Sequence, residues 1–161
     1  MRGARLALNP ALVPALLFAL AAFAHPAPNS IVRLDFRTAD VRAEYWIPVS
    51  ELGYARAADP AGELPAYLLR HVSAESPAGL RWRVAVGAVR ETTYLDHPYL
   101  VADLILSPPA GSSARAFTLV DDAVMHEVRN HVVYVVARRG EAAEVLGALQ
   151  YPERRLGIAA P

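Results

Sequence analysis

Residues 30–48 read SIVRLDFRTADVRAEYWIP, and their periodicity decides the fold class. Val32, Leu34 and Phe36 alternate with Arg33, Asp35 and Arg37, the period of two that marks a strand with one buried face. Thr38, Ala39 and Asp40 suit a turn. Val41, Ala43 and Tyr45 then alternate with Arg42 and Glu44, so a second strand and a hairpin are predicted, ended by Pro48.

Downstream, the same period returns repeatedly. Residues 81–93 carry Trp82, Val84 and Val86 on one face, residues 99–106 are apolar apart from Asp103, and residues 116–120 read as another strand. Residues 131–137, HVVYVVA, are apolar on both faces, as expected of a central strand covered on both sides. Residues 144–151 add one more, and the last ten residues read as a tail. One segment changes period: Leu64, Tyr67, Leu68, His71 and Val72 share one face of a short helix. Residues 55–62 and 108–111 are rich in turn formers. Several short strands, one helix and no βαβ rhythm predict a mainly β fold. The expectation is a single antiparallel β-sandwich of the Ig-like kind over residues 25–161, ending in a short C-terminal tail.

Upstream lies a different kind of segment. Arg2 and Arg5 precede an uncharged apolar run over residues 11–21, and Ala22, Phe23 and Ala24 form a small-x-small cleavage pattern. The run is shorter than the roughly 20 residues a membrane helix needs, and Pro14 interrupts it. Residues 1–24 are therefore read as a signal peptide, with His25 as the first mature residue. The mature chain is expected to be exported, periplasmic or otherwise extracytoplasmic, and to carry no transmembrane span.

Cleavage removes two of the 16 arginines and none of the 16 acids, leaving a net charge of −2. That balance offers nothing to nucleic acid or to an acidic membrane surface. The chain has no cysteine, so neither a disulfide nor a thiolate metal ligand is available. It also lacks a phosphate-binding glycine loop, a Gly-x-Ser-x-Gly elbow and a His-Glu-x-x-His pattern, and it is not read as an enzyme.

The chemistry that remains belongs to histidines and nearby acids. A mature N-terminal His25 would offer its free amine and its ring Nδ1 to one copper or nickel ion, and a second histidine of the fold would complete the set. Asp122, His126 and His131 form the densest group of ligand-type residues, of a kind suited to zinc, nickel or copper. In an unbroken strand His126 and His131 point to opposite faces, so convergence of the three requires a turn or bulge over residues 127–130. His71, on the apolar face of the helix, is expected to be buried and to donate to a backbone carbonyl. His97 is expected to lie in a solvated loop.

Several segments, in order along the mature chain, resemble the extracytoplasmic N-terminal region of HupE/UreJ-like membrane proteins. They are His25 to Ser30 followed by the Val32–Phe36 strand, Ile47-Pro48 to Glu51-Leu52, Ala66 to His71, and Leu106 to Gly111. The most specific is Phe117-Thr118-Leu119 followed by Asp122, His126 and His131. Val120 and Asp121 depart from the family's Asn-Tyr before Asp122. In that family the region precedes a multi-helix membrane domain with a nickel/cobalt permease relationship. No such domain occurs within the 161 residues, so transport is not carried over. The resemblance implies family-typical positions for His25, His71, Asp122, His126 and His131. Two readings follow. One is an exported module binding a divalent metal (nickel, copper or cobalt) as an accessory to a membrane permease, with His25, His126 or His131 as ligands and Asp122 as ligand or orienter. The other is a metal-free interaction sandwich docking on a membrane protein.

Overall fold

The computed structural model describes residues 28–55, 63–140 and 142–161. The segment read as a signal peptide, and His25 with it, lies outside the described residues.

The first hairpin forms as its alternation requires. Strand β1 (Ser30–Phe36) pairs antiparallel with β2 (Val41–Pro48), Val32 opposite Tyr45 and Leu34 opposite Ala43. These four side chains are buried and Leu34 and Tyr45 are inaccessible, because successive strand residues face opposite ways. Next come two helices, α1 (Val49–Ala55) and α2 (Leu64–His71), then β3 (Val72–Glu75), β4 (Arg83–Tyr94), β5 (His97–Ser107), β6 (Ala116–Asp121), β7 (Val132–Arg139), β8 (Ala142–Gln150) and β9 (Arg155–Ala159). One sheet has six strands in the order β4-β5-β2-β1-β7-β8, and the other three in the order β3-β6-β9. The two share one apolar core. Phe117 of β6 packs on Trp82 at 4.7 Å and meets Phe36 of β1 at 6.5 Å between ring centroids.

The fold is thus mainly β and two-layered, as the periodicity predicts, with four local differences. The pairing of β1 with β7 is parallel, whereas all the other named strand pairs are antiparallel. Ninety-odd residues separate β1 from β7, ample for the crossover that a parallel pair needs. The C-terminal residues are not a tail. β9 pairs with β6 and buries Ile158 opposite Phe117, a contact with no local periodicity long enough to announce it. A second helix, α1, follows Pro48 and buries Glu51 and Leu52. His97 is not in a loop but opens β5, after a tight turn in which Leu95 and Asp96 both have positive φ, as two-residue hairpin turns demand.

β7 is interior to its sheet, as expected, but only one face is fully covered. Val133, Val135 and Ala137 are sealed in the core, while Tyr134 on the other face is 42% exposed. Among the described residues no helix is long and apolar enough to cross a membrane.

Ile158 tests the role of the last strand. Ile158→Ala is expected to cost about 2–5 kcal/mol, the range for truncating a buried isoleucine. Urea unfolding reads the loss, and an unchanged midpoint would show that residues 155–159 hang free.

Candidate functional site

The strand β6 stops at Asp121, and the chain turns at once. His126 N–H donates to the Asp122 carbonyl at 3.0 Å, Val128 N–H to Val124 at 2.8 Å and His131 N–H to Val128 at 3.0 Å. The connection over residues 122–131 is therefore a compact turn, and the strand-face argument for His126 and His131 does not apply to it. Ala123, Val124 and Met125 are inaccessible and anchor it in the core. Val124 holds φ +65°, a conformation that costs a β-branched residue on the order of 1–3 kcal/mol. Its N–H donates to the Tyr67 hydroxyl of α2 at 2.7 Å, which helps hold it there.

Two polar groups flank this turn. Asp122 organises the outer one. Its N–H donates to the carbonyl of His71, the last residue of α2, at 3.2 Å. The His71 Nδ1–H donates to Asp122 Oδ1 at 2.8 Å, and Arg154 donates to Oδ2 at the same distance. His126 turns back so that its Nδ1–H donates to the Asp122 carbonyl at 3.1 Å. The His71 and His126 rings stack, 4.3 Å apart and 19° from parallel, and the Tyr67 ring lies 4.5 Å from His71. His71 is half-buried, and its partner is a carboxylate rather than the backbone carbonyl expected of it.

The inner group is buried and bridges the two sheets. Asp121 is inaccessible, accepting from the Ala123 N–H at 2.8 Å and from the Tyr45 hydroxyl at 2.7 Å. Ser30, also inaccessible, has its Oγ 2.8 Å from His131 Nε2. His131 Nδ1 has no hydrogen-bond partner and sits 3.8 Å from Glu51 Oε2, too far for a hydrogen bond. Burial sets the protonation here. It pushes the Asp121 carboxyl up to about 7, against the opposing Tyr45 and Ala123 bonds, and lowers the His131 imidazole to about 4. Burial also raises Glu51 and, with Asp121, raises Tyr45 well above the usual tyrosine range.

Asp122, His126 and His131 therefore do not form one ligand set. His126 joins Asp122 and His71, while His131 points into the core. Among the described residues no three His, Asp or Glu side chains form a group able to hold a metal ion. Sequence reasoning missed Ser30, Tyr45 and Asp121, although each occupies a core-facing position in an alternating strand, where a polar residue needs a partner. Arg154 and Glu51 carried no such signal.

Compared with protein-family models and with curated proteins, the sequence matches none.

Asp121 and His131 titrate in opposite senses. Between pH 3.8 and about 7 the folded state keeps the Asp121 proton that the unfolded chain has lost, so this contribution falls as pH rises. Between about pH 4 and 6.5 the unfolded chain holds the His131 proton that the folded state excludes, so this contribution rises. Each slope reaches about 1.4 kcal/mol per pH unit at most. Asp121→Asn should therefore tilt stability upward from pH 4.5 to 6.5 relative to the parent, and His131→Gln downward. Urea midpoints at the two pH values check this, and parallel profiles for the two variants would refute it.

Proposed function

We propose that the chain is an exported, extracytoplasmic HupE/UreJ-like domain that binds a divalent transition metal, nickel or copper foremost, as an accessory to a membrane permease. His25 supplies its amine and ring, His126 is the histidine of the fold that completes the set, and Asp122 orients rather than ligates. The carrying observation is the bond of His131 to Ser30. With the parallel pairing of β1 and β7, it fixes the start of β1 at the end of the sandwich where the 122–131 turn lies. Asn29 is tied there as well, its side chain accepting from Val132 N–H and its carbonyl from the Tyr99 hydroxyl. His25 stands five residues before Ser30, a reach of about 17 Å at full extension. His131 acts in this reading as the peg that holds the N-terminal segment.

His126 suits the role chemically. Its Nδ1–H is committed to a carbonyl, so the neutral ring keeps its lone pair on Nε2, the arrangement typical of a ligating histidine.

The second reading, a metal-free interaction domain, has one observation in its favour. Both Asp122 oxygens already have partners, His71 and Arg154, so the cluster is satisfied without a cation.

Calorimetric titration of the mature protein with Cu(II) and Ni(II) separates the two, run beside a form with one extra residue ahead of His25. The metal reading expects tight binding that the added residue weakens. Equal binding by both forms would sink the His25 role, and no binding by either would favour the interaction domain.

A further inference from the structure

We infer that the cleft between α1 and the 122–131 turn is a binding site for a primary ammonium group, with Glu51 as its anchoring carboxylate and Tyr54 as its aromatic wall. The site is independent of the metal reading, since neither His25 nor His126 takes part.

The cleft holds about 600 Å³ and is lined by Glu51, Tyr54, Glu127, Val128, Arg129 and Asn130. Glu51 is the one buried member of that set, with 8% of its side chain accessible. Among the described residues its carboxylate accepts no hydrogen bond. The His131 Nδ1 behind it, 3.8 Å away, is too distant to donate and is itself inaccessible and unpartnered. Nor is His131 a counter-charge, because burial lowers its imidazole to about 4. Buried polar groups are nearly always bonded, and a carboxylate taken out of water without donors is among the costliest of them. Burial accordingly raises the Glu51 carboxyl above its ordinary value. No donor in the fold offsets that cost, so the missing partner is one that enters from the cleft.

The chemistry of the walls selects the donor. A primary ammonium brings a full positive charge and three N–H donors, and it bonds a carboxylate more strongly than a neutral donor does. It is also compact. A guanidinium needs both carboxylate oxygens for its planar fork, whereas Glu51 shows the cleft only a small part of its side chain. Tyr54 lies three residues on from Glu51 in α1, a neighbouring position on a helix surface, and is 78% exposed, so its ring is open to a cation beside Glu51. Glu127 adds a second carboxylate, with no ion-pair partner among the described residues. Arg129 is the one cation of the lining, and its guanidinium is drawn aside over the Tyr151 ring at 4.8 Å. The volume suits a small ligand.

Cadaverine is the probe, titrated by calorimetry into the protein in buffer containing EDTA, so that no metal contributes. Saturable binding of about one equivalent is expected, with none for the neutral analogue 1,5-pentanediol. Glu51→Gln keeps the shape of the side chain and removes its charge. It should weaken cadaverine about 10–100-fold, the loss of a charged hydrogen bond. Its urea midpoint should be no lower than the parent's, because an unpaired buried charge does not stabilise a fold. Tyr54→Ala should weaken binding about 2–5-fold. In the parent, cadaverine should shift the amide resonances of Tyr54 and Asn130 and leave Thr38, at the opposite end of the first hairpin, unmoved. A lysine blocked at both ends carries the same ammonium group on a peptide, and whichever of the two binds tighter assigns the source, a free polyamine or a protein side chain. No saturable binding of either, equal binding of pentanediol, undiminished binding by Glu51→Gln, or a lowered urea midpoint in that variant would each overturn the site.

Discussion

A buried carboxyl joins the two sheets. Asp121 closes β6 of the small sheet and takes the hydroxyl of Tyr45, which rises from β2 of the large one. Neither side chain is accessible, so the bond operates where its loss would leave a polar group with no water to replace the partner. A second buried contact, between Ser30 and His131, ties the start of β1 to the residue before β7. The relative position of the sheets, the start of β1 and the end of the 122–131 turn are therefore held by these two buried contacts.

The Ser30 contact also explains why the two histidines of the turn have different fates. His131 meets Ser30 and is buried in the core, where desolvation keeps it neutral. His126, five residues earlier, falls on the outer side of the turn beside His71. The adjacent acids divide in the same way. Asp121 faces inward and is held near its protonated form, while Asp122 faces outward between a histidine and an arginine. One step along the chain separates a structural carboxyl from one that can orient ring nitrogens.

The outer cluster is economical in its use of Asp122. Its N–H, its carbonyl and both carboxylate oxygens are all bonded, to His71, His126 and Arg154. Those bonds select the tautomer of both rings. A group so fully committed has little freedom to rotate, and the ring nitrogens it leaves open inherit that rigidity.

Local periodicity by itself determined the strands whose side chains alternate, because a half-buried strand must place apolar residues at every second position. The hairpin of β1 and β2 and the helix over residues 64–71 were legible because their apolar residues recur at the period of their own backbone. What only the tertiary structure decided was pairing across distance. The parallel contact of β1 with β7, the strand at residues 155–159 and the meeting of His71 with Asp122 join segments far apart in the chain, and no local pattern records such a meeting. The same holds for the division between His126 and His131. Both are histidines in one short connection, and their roles diverge because Ser30, about a hundred residues away, is the partner that one of them reaches.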